Sequence, residues 1–287
     1  MSDVTSEISQ RKRIVSGSEI DAFNLCTRRH FYAFHERLER KNKSESLTRG
    51  IAGHELYKVF WTARSEGRTW ERSLELMEEA LSRMIKNIDM KVIINLYQTM
   101  TGSLNHYRNR CEEWEILSVE QVYKLEFPDF IYAYSPDLVV RENGATAIVD
   151  YKFTYNFYND VAMQLLPQIP RYVGAHRALN MWVQKGYYWF NRYRIVKEDG
   201  PRHRYLLDPV ILSNARIKNA FDDVIGTAKR IVSIERIDET IRNANNFVCN
   251  TCSFKNICVS ELNGGDGKLV RQLEFQPSTY GYQEAEE

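Results

Sequence analysis

The stretch YAYSPDLVVRENGATAIVDYKFT, residues 132–154, constrains the fold of this chain more than any other. Tyr, Val, Ile and Thr crowd both sides of Asn143-Gly144, a pair that tolerates positive φ. This predicts an antiparallel hairpin with strands over 132–140 and 146–154. Side chains alternate along a strand, so Asp150 and Lys152 share one face while Val149, Tyr151 and Phe153 take the other. A charged pair on a half-buried strand is costly unless something satisfies it. Three other acid-x-Lys triplets occur, Glu39-Arg40-Lys41, Asp89-Met90-Lys91 and Asp266-Gly267-Lys268, but they sit in charged, helical or Gly-rich stretches. Only Asp150-Tyr151-Lys152 has a β context.

Around this hairpin the chain alternates in character. Ser18, with Asp21 three residues on, can cap a helix running to about Lys41, with Ile20, Phe23, Phe31 and Phe34 on its apolar face. Further helices are expected over 47–64, 70–88 and 90–115, a strand over 117–127, a helix over 160–180, strands over 186–195 and 205–212 around a 197–204 turn, and a last helix over 214–234. The order β-β-β-α-β-β implies an α/β mixed sheet flanked by helices, with helical additions in front. We expect an N-terminal helical region over 1–115, a core over 116–235 and a closing segment over 236–287. The 287 residues are 43% hydrophobic and 27% charged, ordinary for a soluble globular protein, and no apolar run approaches a membrane span. The polar start MSDVTSEISQRKR is no signal peptide, so an intracellular, cytoplasmic location is expected. With a net charge of +1, any binding to a polyanion must come from local patches. Candidates are Arg11-Lys12-Arg13, Arg28-Arg29, the 37–43 stretch, and Arg192, Arg194, Arg202 and Arg204, though each alone reads as a solvated face.

The cysteines form a second constellation. Cys249-x2-Cys252-x5-Cys258 is a compact triplet, Cys26 lies far upstream, and Cys111 is left over. Intracellular thiols are seldom held as disulfides, so a metal is the expected use, and four sulfurs suit zinc or an iron–sulfur cluster. Spacing alone does not choose between them. Such a site would clamp the tail onto the first helix and close a very large loop. Two smaller features remain. His54 follows Gly50 and Gly53 on the second helix and lacks the second His of H-E-x-x-H. Gln168 and Tyr172 stand at i and i+4, on one side of the helix after the hairpin.

In this order, His54, Pro136-Asp137, Asp150-x-Lys152 and Gln168-x3-Tyr172 resemble the RecB-like branch of the PD-(D/E)XK nuclease superfamily. The opening Ser16-Gly-Ser-x-Ile20 to Cys26 with Arg28 and Arg29, and the closing Cys-x2-Cys-x5-Cys, are similar to the subgroup with a four-cysteine iron–sulfur staple, found in AddB-type helicase–nucleases and CRISPR-adaptation nucleases. The resemblance spans roughly residues 16–260. Thr27 stands where that subgroup often has Pro, and Ser135-Pro136-Asp137 where it often has Gly-x-x-Asp; neither removes a ligand.

Two carboxylates a few ångströms apart repel by roughly 1 kcal/mol in water-like surroundings and about 4 kcal/mol at an effective dielectric near 20, so they persist together around a cation. Mg²⁺ or Mn²⁺ would be held by Asp137, Asp150 and the carbonyl of Tyr151, and the resemblance adds His54 as a ligand. Lys152 would position water or stabilise the phosphorane. By the same resemblance Gln168 and Tyr172 would orient Lys152 or the phosphate, and Cys26, Cys249, Cys252 and Cys258 would bind a 4Fe-4S cluster, with zinc the alternative. Glu120 is a candidate supporting or second-metal carboxylate. The resemblance implies a restriction-endonuclease-like fold and a metal-dependent deoxyribonuclease, an exonuclease on single-stranded DNA or free ends, serving recombination, repair, phage replication or CRISPR adaptation. Gly264-Gly265-Asp266-Gly267-Lys268 is no Walker A loop, so any helicase must be a partner. The competing expectation is a non-catalytic nucleic-acid-binding accessory protein with a zinc- or iron–sulfur-stapled fold.

Overall fold

The computed structural model describes residues 12–84, 88–194 and 204–278. In chain order the elements are β1 (Arg13–Ser16), α1 (Gly17–Leu25), α2 (Thr27–His30), a π-helical turn (Phe31–His35), β2 (Leu38–Arg40), α3 (Glu45–Ser65), α4 (Trp70–Met84), α5 (Met90–His106), α6 (Arg108–Glu112), β3 (Glu115–Val119), β4 (Tyr123–Glu126), β5 (Phe130–Tyr134), β6 (Leu138–Glu142), β7 (Ala145–Thr154), α7 (Asp160–Leu165), α8 (Gln168–Ala178), β8 (Lys185–Arg192), β9 (Tyr205–Pro209), α9 (Asn214–Val232), a 3-10 turn (Ile237–Glu239), α10 (Asn246–Thr251), α11 (Lys255–Leu262), α12 (Gly267–Glu274) and β10 (Phe275–Pro277). No described helix is long and apolar enough to cross a membrane. The chain divides into two compact units, one of Asn42–Tyr123 and Ser135–Asp222, the other of Met1–Lys41, Lys124–Tyr134 and Asp223–Glu287.

The first unit is built on a five-stranded mixed sheet in the order β3-β6-β7-β8-β9. The expected hairpin is its centre: β6 and β7 pair antiparallel from Leu138–Val149 to Glu142–Ala145. Asn143 and Gly144 both take positive φ, 50° and 76°, the conformation a two-residue turn of this hand demands. β7 then pairs parallel with β8 and β8 antiparallel with β9. The side chains of Val149, Tyr151 and Trp189 meet Tyr57, Phe60, Trp61, Met100 and Trp114 in one core cluster. Trp189 is fully buried and donates from Nε1 to Ser103 Oγ at 2.7 Å, so its amphipathic ring is satisfied at both ends. This mixed sheet with flanking helices is the α/β, restriction-endonuclease-like architecture expected from sequence.

The second unit holds a three-stranded sheet, β1-β5-β4, and a two-stranded one, β10-β2. A small core of Tyr32, Phe254, Ile257 and Phe275 packs against Cys252 and Cys258.

Several boundaries differ from expectation. Ser16, not Ser18, caps the first helix, accepting from the Glu19 N–H at 3.1 Å, and that helix stops at Leu25 rather than near Lys41. Cys26 is extended (φ −168°), α2 and the π-turn follow, and Arg37 at φ 54° turns the chain into β2. The strand expected over 117–127 is two strands, because Glu120 adopts φ 45° and breaks the extension. Tyr132–Tyr134 belong to β5, which pairs parallel with β1, not to the hairpin. The helix expected over 160–180 is interrupted at Leu166-Pro167, since Pro167 disfavours helical geometry in the residue before it. The charges of Arg11 and Arg202, the turn residues 197–203 and the end of the strand expected to Ile195 lie outside the described residues.

Candidate active site

Every sequence-derived active-site residue falls within the unit of the five-stranded sheet. Leu138 pairs with Val149, so Asp137 before it and Asp150 after it reach the same end of the hairpin. Asp137 is nearly buried, and its Oδ2 accepts the Tyr151 N–H at 2.6 Å. His54 comes from α3, whose close approach to β7 requires a glycine. A Cβ on Gly53 would lie 2.4 Å from the Phe153 ring. The His54 ring rests edge-on against Phe153, with Nδ1 3.3 Å from Asp137 Oδ1. Burial works to lower the His54 pKa, but the carboxylates of Asp137, Asp150 and Glu120 together outweigh it and the net shift is upward.

Glu120 completes this corner. Its positive φ follows directly on β3, and its N–H donates to the Asp137 carbonyl at 3.0 Å. Donor atoms of His54, Glu120 and Asp137 all lie within 4.8 Å of one another. Burial raises the Glu120 pKa, opposed by Lys58, whose Nζ stands 3.3 Å from Oε2. The sequence pointed to Glu120 only as a supporting carboxylate; geometry makes it a full member of the cluster, while Asp150 lies outside that trio.

Asp150 is 1% exposed, and its Oδ1 has no hydrogen-bond partner. Nζ of Lys152 stands 2.6 Å from Oδ2, a charge-assisted contact on that oxygen. Burial pushes the Asp150 pKa up to about 6 despite the opposing Lys152 charge. Lys152 also donates to Gln168 Oε1 at 2.6 Å, and Gln168 Nε2 donates to Tyr172 Oη at 3.0 Å, so α8 holds the ammonium from the side. Burial acts to lower the Lys152 pKa, but Asp150 beside it reverses the sign and keeps the amine protonated.

A buried carboxylate with one unpartnered oxygen, beside two more carboxylates and an imidazole, fits a hard divalent cation with oxygen and nitrogen ligands. Donor type, burial and the unpartnered oxygen agree.

The chain matches the PD-(D/E)XK nuclease superfamily model over residues 14–259. It belongs to that superfamily. Members are nucleases that use divalent metals on nucleic acid. No curated protein matches significantly. Among solved structures, the chain is similar to SSO0001 at 13% identity, covering 87% of each chain with a TM-score of 0.39. It is also similar to the protein VC1899 from Vibrio cholerae, at 11% identity, 78% of this chain, 59% of that chain and a TM-score of 0.22.

The four cysteines of the expected cluster lie in the other unit of this nuclease-superfamily chain. All are free thiols. The Asn243 N–H donates to Cys26 Sγ at 3.5 Å, and Cys258 Sγ lies 4.0 Å from the Tyr32 hydroxyl. Burial raises the Cys252 pKa, with Cys258 and Cys26 both near enough to add to the rise. Among the described residues, the cysteine sulfurs form no group of three within 4.8 Å. Four ligands on one tetrahedral zinc would sit roughly 3.8 Å apart, given Zn–S bonds of about 2.3 Å.

The N-terminal cations are largely occupied. Arg28 is buried, with Nη1 4.0 Å from Glu261; Arg40 pairs with Glu274 at 2.5 Å, and Lys41 donates to the Gln272 carbonyl at 2.7 Å. These candidate patch charges are thus engaged within the unit.

Proposed function

We propose that this member of the superfamily is a metal-dependent deoxyribonuclease of the RecB-like branch, an exonuclease acting on single-stranded or free-ended DNA. The observation that carries the catalytic reading is the buried Asp150 carboxylate, paired with Lys152 on Oδ2 and unpartnered on Oδ1, beside the Asp137, His54 and Glu120 cluster. Asp137, Asp150 and His54, with the Tyr151 carbonyl and Glu120, would hold Mg²⁺ or Mn²⁺; the imidazole leans the preference toward Mn²⁺. When bound, such an ion lowers the pKa of a water and neutralises charge on the phosphate.

The chain's own groups supply the rest. Lys152, kept protonated by Asp150, places a positive charge where the attacked phosphate gains negative charge. Gln168 fixes the ammonium's direction, and Tyr172 fixes Gln168, so two residues of α8 set the angle of one donor. Asp137 is oriented by the Tyr151 N–H, which leaves Oδ1 toward His54. The sheet end is thus preorganised.

Cys26, Cys249, Cys252 and Cys258 would ligate a 4Fe-4S cluster. The reading is supported by free thiols at Cys249, Cys252 and Cys258 lying in the same unit as the distant Cys26.

The test is cleavage of end-labelled single-stranded DNA with Mn²⁺. The wild type should shorten the strand, and Asp150→Ala and Lys152→Ala should each reduce the rate by two orders of magnitude or more, roughly the scale of losing one charge-stabilising donor. Undiminished cleavage in both variants would end the proposal.

A further inference from the structure

Past Lys152 the two central parallel strands leave the sheet side by side. Thr154 pairs with Arg192, and the Tyr193 N–H donates to the Thr154 carbonyl at 3.0 Å. Tyr155 and Tyr193 therefore emerge as neighbours, with ring centroids 5.8 Å apart and planes inclined by 60°. Each ring carries a guanidinium on its face: Arg194 Cζ lies 5.2 Å from the Tyr155 centroid and Arg49 Cζ 4.7 Å from that of Tyr193. These four side chains, with Glu45, Ser46 and Asn95, line an open cavity of about 810 Å³. That is within the roughly 300–1,000 Å³ range of small-ligand sites.

The two arginines differ in state. Arg49 is fixed by Glu45 at 2.7 Å, Asn95 at 3.1 Å and the Val92 carbonyl at 3.2 Å, so it is a rigid wall. Arg194 is exposed, and its hydrogen bond goes to the neutral Asn156 amide at 3.2 Å, which leaves its charge uncompensated by that contact. Tyr155 is 53% exposed, an aromatic surface with a cation above it.

Position ties this cavity to the chemistry. Arg49 stands five residues before His54 on α3, about 7.5 Å along the helix. Tyr155 stands three residues after Lys152, about 10 Å along a strand. A strand whose phosphate lies at the carboxylate corner brings a neighbouring nucleotide to the tyrosines. Aromatic faces accept a base whose own faces are open, which a base inside a duplex lacks. Glu45 on the rim weakens the cavity as a purely electrostatic phosphate trap, so the rings matter most.

We infer that this cavity is a stacking subsite for an unpaired base of the substrate strand, stacked on the exposed Tyr155 ring beside Tyr193 with its phosphate against Arg194. The inference takes its location from the nuclease reading above.

The test uses the full chain in EDTA, where no cleavage occurs, and fluorescence anisotropy with a labelled oligothymidylate. Tyr155→Ala should weaken binding at least roughly fivefold, the lower end of one base–aromatic stack. Tyr155→Trp should restore it. Arg194→Gln should lower the salt slope by about one, whereas Tyr155→Ala should leave that slope unchanged. Binding of a blunt duplex should be indifferent to Tyr155. Absent oligothymidylate binding by the wild type, or equal loss on single and double strands, overturns the subsite. Tyr155-dependent binding without Mn²⁺-supported cleavage would keep the subsite and sink the nuclease reading; cleavage indifferent to Tyr155 would do the reverse.

Discussion

Nζ of Lys152 lies 2.6 Å from Oδ2 of Asp150, two residues away on the same face of β7, and the other oxygen of that carboxylate has no partner although the residue is 1% exposed. An isolated carboxylate in such a place is destabilising, and a single ammonium does not fill both oxygens. In the proposed reading, a bound cation supplies the further charge.

Its pH dependence follows from sign. The folded Asp150 pKa is raised from 3.8 to about 6, so the folded chain binds the proton more tightly than the unfolded chain. That contribution is fully present below the unfolded value and is lost as pH rises through the folded one, at a cost of about 3 kcal/mol for a shift of this size. In EDTA, Asp150→Asn should melt higher than wild type at pH 7 and no higher at pH 4, while added Mn²⁺ should stabilise only the wild type. Thermal melts over that pH range check this, and a variant less stable than wild type at pH 7 would contradict it.

Gly53 is needed because the Phe153 ring occupies the space of its Cβ, 2.4 Å away. Gly53→Ala should push Phe153 and His54 aside and weaken Mn²⁺ affinity roughly 10- to 100-fold, the scale of losing a ligand's support. The double variant Gly53→Ala with Phe153→Ala should recover part of that loss, as read by calorimetric titration.

Gln168 acts through Lys152. Gln168→Ala should lower kcat by roughly tenfold or more while leaving the Mn²⁺ affinity unchanged, and Gln168→Glu should shift the pH profile of cleavage upward by stabilising the ammonium. Steady-state kinetics across pH separates this from a loss of fold.

Glu142 provides the contrast. Burial would raise its pKa, but hydrogen bonds from Arg110, Tyr187, Trp114 and Lys185 hold it well below the usual carboxylate range. Its stabilisation is present above the ordinary Glu value and is lost as pH falls through the depressed one. Glu142→Ala should destabilise by about 2–4 kcal/mol in chemical denaturation, with metal affinity intact.

The hairpin, the His54 helix and the Gln168–Tyr172 pair were legible because each rests on local periodicity: alternation about Asn143-Gly144, or i, i+4 spacing. What was not legible depends on distant partners. Tyr132–Tyr134 look like hairpin residues, but pair with β1 more than a hundred residues earlier in the chain. Glu120 gave no turn signal, since a Glu at φ 45° is held there by tertiary context. Arg28 and Arg40 read as parts of local cationic patches in one dimension and meet Glu261 and Glu274 in three. Pro167 was visible, and its effect on the preceding residue is what divides α7 from α8.

An iron–sulfur cluster on Cys26, Cys249, Cys252 and Cys258 would colour the protein. Protein purified without oxygen should be brown and should bleach on oxidation, and Cys26→Ser should lose both the colour and several degrees of melting temperature. A colourless protein carrying one zinc would replace the cluster with a simpler staple.

The most direct measurement is calorimetric titration of the full chain with Mn²⁺ at neutral pH, in wild type, Asp137→Asn and His54→Ala. Saturable binding in the wild type that is lost or weakened by at least tenfold in both variants is the expected result. A wild type that binds no Mn²⁺, or variants that bind it as tightly, would contradict the assignment of this corner as a cation site.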